Sequence, residues 1–210
     1  MSEYGYIPES PAQSWGSNKG IFTPNDIYDL TRADKYTDYG QLDLIETKTV
    51  SSAVCDFTDL KTGSYNNHLV TFTDIHFGSQ SEFGYKVSND NGASFATGYQ
   101  FANQRGNASG SFDERKSTSQ DSARLCGDID DASNSLANGY MYLYNAGDSQ
   151  KFTFSTSSMV FVDNTDTPAM EFGGQLYPTQ AQIHQIRFGL GTTCASMASA
   201  TISLYGIKAY

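Results

Sequence analysis

Three constellations in this 210-residue chain hold residue types that do chemistry. The first is Tyr99-Gln100-Phe101-Ala102-Asn103-Gln104-Arg105-Gly106, which combines stacking rings with amide and guanidinium donors. Sugar rings are bound by aromatic stacking with polar contacts, and recognition loops favour Tyr, Ser, Gly and Asn. Tyr99, Phe101, Asn103, Gln104 and Arg105 are therefore candidate contacts to a receptor or glycan. The plainer and preferred reading makes Tyr99 and Phe101 core residues of a strand, with the rest its turn. The second constellation is Asp128-Ile129-Asp130-Asp131-Ala132-Ser133-Asn134, whose alternating oxygens suit a hard cation. A twelve-residue calcium loop would end on a bidentate Glu, but that position is Gly139, so a solvated acidic loop is preferred. The third is a pair of acids in apolar settings, Asp74 beside Phe72 and Ile75, and Glu171. A carboxyl so placed can have the raised pKa of a catalytic acid, although an outward-facing strand residue is the commoner role.

Other signatures are missing. His68, His76 and His184 stand far apart without a metal-ligand spacing, and no Gly-x-Ser-x-Gly elbow occurs. Cys55, Cys126 and Cys194 are odd in number and widely spaced, which predicts buried free thiols rather than a disulfide framework. No catalytic, cofactor-binding or metal-binding residue is assigned, and no cofactor is expected.

Composition points to the elements that must position these residues. The chain is 13% aromatic, with 14 Tyr and 13 Phe, while only 17% of residues are charged. Ser, Thr, Asn and Gly fill the gaps, a mix that suits short strands and polar turns rather than helices. A net charge of −10, with 13 basic residues scattered through the chain, disfavours nucleic acid and anionic membranes as partners. No segment approaches the roughly 20 apolar residues of a membrane span, and Met1-Ser2-Glu3-Tyr4-Gly5 lacks the pattern of a secretory signal.

Strand patterns run through most of the chain. Residues 42–50, 69–77 and 83–87 read as strands, with 54–57 either continuing the first or pairing with it. Asn91-Gly92 is the pair that a type I′ turn requires, so residues 95–101 are expected to fold back beside 83–87. Residues 103–138 are polar, and only 123–126 reads as strand there. Further strands are expected at 140–144, 152–154, 159–162, around Ile183, Ile186 and Phe188, and at 200–208. Strands at this spacing predict a mainly β fold: an antiparallel, jelly-roll-like β-sandwich.

Ahead of the strands lies Phe22-Thr23-Pro24-Asn25-Asp26-Ile27-Tyr28-Asp29-Leu30. Thr23 is a good N-cap, Pro24 suits the first helical position, and Asp26 can reach back to the cap. Phe22 and Ile27 have the spacing of a hydrophobic staple. A short helix is expected from Pro24 to about Asp34. Upstream, residues 1–20 carry little periodic apolar signal, but they hold isolated anchors of the types that work at interfaces. Three parts follow: an extended arm (1–22), a short helix and linker (23–39), and a β-sandwich domain (40–210).

The block Gly20-Ile21-Phe22-Thr23-Pro24-Asn25-Asp26-Ile27-Tyr28-Asp29-Leu30 resembles one that opens virion structural proteins of marine tailed bacteriophages. The runs Leu42-Asp43-Leu44-Ile45-Glu46-Thr47-Lys48-Thr49, Asp56-Phe57-Thr58-Asp59-Leu60-Lys61, Tyr140-Met141-Tyr142-Leu143-Tyr144-Asn145-Ala146-Gly147-Asp148-Ser149 and Ile202-Ser203-Leu204-Tyr205-Gly206-Ile207-Lys208 are similar to their β-domain. The resemblance implies a non-enzymatic protein on the outside of a phage particle, assembled in the host cytoplasm. The expected partners are other virion proteins, the major capsid or tail proteins. Tyr4, Tyr6, Ile7, Trp15, Phe22, Ile27 and Leu30 would dock it. Capsid decoration is favoured over a tail fibre, because a fibre needs a shaft of heptads or β-repeats and neither occurs here. A tail appendage that binds a host receptor or surface glycan is the alternative, and a homotrimer is the assembly suggested by analogy with phage appendages. An enzyme acting on host envelope polysaccharide is a third reading.

Overall fold

Thr23 caps the helix α1 (Pro24–Arg32) as its sequence predicts. The Thr23 N–H donates to Asp26 Oδ2 at 2.8 Å, and the Asp26 N–H donates to Thr23 Oγ1 at 3.2 Å. Both bonds of a capping box are therefore made, and the bonds from Thr23 hold the Asp26 carboxyl below its ordinary range. At the other end the Ala33 N–H returns to the Asp29 carbonyl at 3.0 Å, so the helix stops two residues short of Asp34. None of its residues is buried.

A computed structural model of the chain describes residues 23–33 and 42–208. Tyr4, Tyr6, Ile7, Trp15 and Phe22, and with Phe22 the expected staple, lie outside the described residues. The chain divides into two units at Gln41 and Leu42, and α1 belongs to the first.

The second unit is an antiparallel β-sandwich. Its strands are β1 (Leu42–Ala53), β2 (Cys55–Phe57), β3 (Asn67–His76), β4 (Ser81–Ser88), β5 (Tyr99–Asn107) and β6 (Phe112–Gln120), then β7 (Ala123–Ile129), β8 (Ala137–Tyr144), β9 (Thr153–Val162), β10 (Pro168–Tyr177), β11 (Gln185–Leu190) and β12 (Met197–Ile207). One sheet has eight strands in the order β1-β12-β3-β8-β9-β10-β5-β6. The other has four, in the order β2-β11-β4-β7. Alternation dictates which side chains meet between them, because successive residues of a strand point to opposite faces. Val70, Phe72, Met141, Leu143, Ile202 and Leu204 of the large sheet face Phe57, Phe83, Tyr85 and Phe188 of the small one, all buried. Phe188 is the hub. Its ring meets those of Phe57 and Phe72 edge-on, at 6.2 and 5.2 Å between centroids, and lies tilted to Phe83 and Tyr85.

The structure departs from the sequence reading in three places. Residues 95–101 do not fold back on 83–87, since β4 pairs with β11 and β7 instead. The turn itself forms, with Asn91 and Gly92 at φ of 58° and 84°. Asp90, however, takes the Ser94 N–H and hydroxyl, and only the Ala96 N–H reaches the Val87 carbonyl before the chain crosses to the other sheet. Residues 112–120 form β6, an edge strand with no apolar alternation and no fully buried residue. Residues 168–177 form β10, whose Glu171, Gly173 and Gly174 conceal a central strand.

Candidate functional site

The interior beneath β5, β9 and β10 is polar, and this decides the fate of most predicted contact residues. Tyr99 is fully buried, its hydroxyl 2.7 Å from the Val87 N–H and its ring packed on Tyr85 and Tyr177. Asn103 and Arg105 also point inward and are buried. Tyr99 thus takes the core place of the preferred reading, while Asn103 and Arg105 are corrected from surface contacts or turn to interior strand residues, because the odd-numbered positions of β5 face the small sheet. Phe101 is half-buried on the same side, and Gln104 lies on the opposite, outer face, so the five do not form one site.

A hydrogen-bonded chain occupies that interior. Tyr85 Oη lies 2.8 Å from Ser155 Oγ, which donates to Gln175 Oε1 at 2.5 Å, and Gln175 Nε2 donates to Asn103 Oδ1 at 3.1 Å. Asn103 Nδ2 donates to Glu171 Oε1 at 2.9 Å, and the same oxygen accepts from Arg124 Nε at 3.2 Å. Arg124 then pairs with Glu82 towards the surface. Glu171 is thus the counter-ion of a buried arginine. Asp74 stands exposed at a bulge of β3, where its N–H donates to Asn138 Oδ1. Two strands lie between β3 and β10, about 14 Å of sheet, so these two acids do not form the paired carboxylates of a glycosidase.

A second cluster absorbs the acidic loop. Arg105 donates to Asp163 Oδ2 at 2.8 Å and to Asp128 Oδ2 at 2.9 Å, and Arg115 reaches the same Asp128 oxygen at 2.6 Å. Burial raises the Asp163 pKa. Against it, the Thr165 and Asn107 side chains and the Thr165 and Thr167 N–H groups bring the carboxyl down from 3.8 to about 2. Asp130 is occupied by the Ser135 hydroxyl and the Ala132 N–H. Among the described residues, no group of three His, Cys, Asp or Glu side chains is placed to hold a metal ion. His68 is buried with Nε2 2.7 Å from the Leu60 carbonyl, and burial lowers its pKa. Cys55, Cys126 and Cys194 are buried free thiols.

What remains open to a partner is the outer face of the large sheet. Tyr140, Tyr142 and Tyr144 project from β8 at alternate positions, Tyr142 and Tyr144 stacked with centroids 6.2 Å apart. Phe154 and Val160 project from β9, and Met170 and Phe172 from β10. No outward position of β8, β9, β10 or β5 carries a charge. The first charged pair on this face is Glu114–Lys116 on the edge strand β6. Small residues make two hollows in the face. One, of about 540 Å³, lies over Gly106 beside Phe112, Val160 and Met170. The other, of about 480 Å³, lies over Ala102 and Gly174 beside Phe154 and Leu176. By register Phe172, opposite Gln104 and Ser158, stands between the hollows as a ridge. The chain matches no family model, no curated protein and no solved structure. This surface was not among the predicted sites. Its signal was present in the alternation of aromatic and small residues in β8 and β10, but alternation does not say which face is covered.

Proposed function

We propose that the chain is a non-enzymatic structural protein of the surface of a tailed bacteriophage particle, a capsid decoration protein docked through its N-terminal region. The observation that carries this reading is α1. It has a complete capping box and not one buried residue. A nine-residue helix is marginal in water on its own hydrogen bonds. Such an element gains its stability from a partner, and Ile27, Leu30 and the exposed Tyr28 are the side chains it offers. The β-sandwich supports the same reading: most of its buried acids, arginines and amides hold one another inside the fold, as expected of a rigid body displayed on a particle. Docking through a short capped helix and the chain ahead of it buries much area per residue, with the ordering entropy opposing it.

Quantitative mass spectrometry of purified particles tests the proposal. A copy number comparable to that of the major capsid protein supports decoration. A handful of copies per particle moves the protein to the tail, as an appendage contacting host receptor or glycan. Absence from particles overturns both. Ile27→Asp with Leu30→Asp should reduce occupancy and leave the β-sandwich folded.

A further inference from the structure

We propose that the outer face of the eight-stranded sheet is the interface between two copies of this chain, packed face to face. Tyr140, Phe154, Val160, Met170, Phe172 and Phe112 on this face are each between 40% and 67% exposed. A large aromatic side chain carries about 150–250 Å². Half-exposed, these six and the neighbouring Tyr142, Tyr144 and Leu176 present roughly 600–800 Å², against about 300–600 Å² for the largest patch of an ordinary monomer. A standard interface takes about 800 Å² from each partner, so one such face supplies what a stable dimer needs.

Three features identify a second copy as the occupant. First, the composition over β8, β9, β10 and β5 is that of an interface centre, rich in Tyr, Phe and Met and free of Asp, Glu and Lys, with the Glu114–Lys116 pair at its β6 rim. A glycan site would instead set acids or arginines as well as amides beside the rings, and here the outward amides Gln100 and Gln104 stand without either, since Arg105 points the other way. Second, the chain carries a net charge of −10, so two copies repel over most of their surfaces but not across a face whose charged pair, Glu114–Lys116, is neutral in sum. Third, the relief is self-complementary. Phe172 stands two residues, about 7 Å of strand, from the hollow over Gly174. A two-fold axis in the interface plane, midway between ridge and hollow, seats each Phe172 in the other copy's hollow. This is an isologous contact of two sheets, which pack at about 10 Å with their outward side chains interdigitated. The proposal stands apart from where the protein is located, since it concerns the purified chain alone.

Sedimentation equilibrium of the full chain tests it. At concentrations up to roughly 100 µM the wild type should show twice its 22.9 kDa monomer mass, with a Kd in the micromolar range or below. Phe172→Lys reduces the overall negative charge, so it weakens general repulsion while placing unpaired charges in the contact. It should raise Kd by at least about 100-fold and leave the far-UV spectrum unchanged. Gly174→Lys fills the hollow instead. A Cβ there meets nothing nearer than the Ser155 carbonyl at 3.8 Å, so the strand accommodates it, and the dimer should again be lost. Should a variant misfold, hydroxyl-radical footprinting of the wild type decides: Met170 should be protected on going from dilute to concentrated protein. A wild type that stays monomeric at the highest concentration overturns the proposal. So does a dimer indifferent to both substitutions, or one in which Met170 reacts equally at all concentrations. A monomer that binds oligosaccharide through this face overturns it in favour of a glycan platform.

Discussion

Replacing Asp163 by Asn tests whether the buried charge cluster holds the sandwich together. The carboxylate is 1% exposed and accepts five hydrogen bonds. Oδ1 takes the Thr165 hydroxyl at 2.6 Å and the Thr165 and Thr167 N–H groups at 3.0 and 3.2 Å, closing the turn between β9 and β10. Oδ2 takes Arg105 Nη2 at 2.8 Å and Asn107 Nδ2 at 3.1 Å. An Asn side chain keeps the first set and turns its amide hydrogens on the second, so the Arg105 cation loses one of two counter-ions while buried. Removing one partner of a buried pair costs about 3–5 kcal/mol. Since Arg105 keeps Asp128, the lower figure, about 3 kcal/mol, is expected at pH 7. For a domain of this size that is a fall in Tm of roughly 6–12 °C. Acid provides the internal control. The folded-state pKa of Asp163 is about 2, below its ordinary 3.8, so its stabilisation is complete above pH 4 and is lost as pH falls from 4 towards 2. A shift of nearly two units is worth ~2–3 kcal/mol. Urea unfolding of both proteins at pH 7, 4 and 2 should therefore show a gap of about 3 kcal/mol that closes to under about 1 kcal/mol at pH 2. A gap below about 1 kcal/mol at pH 7, or one unchanged at pH 2, would refute the reasoning.

Two further predictions rest on the core. Phe188→Ala empties the space at the meeting of five aromatic rings and should destabilise the domain by about 3–5 kcal/mol in denaturant titrations; a loss under about 1 kcal/mol would show that the rings close over the gap. Burial pushes the Cys55 and Cys194 thiols up to about 12 and Cys126 well above its ordinary value, so a thiol reagent at pH 8 should label none of them in the native protein and all three in urea. Rapid stoichiometric labelling of the folded chain would contradict that burial.

Much of the fold was legible where local chemistry and periodicity agree. Thr23, Pro24 and Asp26 specify a helix start within four residues, because a cap is made by neighbours in the chain. The strands containing Leu69 to Phe72, Tyr140 to Tyr144 and Ile202 to Leu204 could be read because one face of each is buried and apolar. β6 was hidden for the opposite reason. Its Asp113, Glu114, Arg115 and Lys116 are the residues of an exposed edge, and such a run reads like a loop. β10 was hidden by Glu171 and its two glycines, which make sense only beside Arg124, Asn103 and the hollow over Gly174.

The candidate contacts show the same division. Ring, amide and guanidinium in the run from Tyr99 to Arg105 suggest one recognition segment as the alternative to strand core, but a strand sends alternate residues to opposite faces. Tyr99, Asn103 and Arg105 went inward and Gln104 outward, and nothing within those residues says which set is covered.

By itself, then, the chain's composition and local patterning determined a mainly β protein with one capped helix, three thiols sequestered from solvent and no concentration of positive charge. These follow from neighbours a few residues apart and from totals, which any fold of the chain must respect. Tertiary structure alone decided which face of β5 is interior, that Arg105 answers Asp163 and Asp128, and that the outward positions of β8 to β10 make one charge-free surface. Those outcomes depend on pairing between residues tens of positions apart, where a strand's two faces differ only in what the rest of the molecule lays against them.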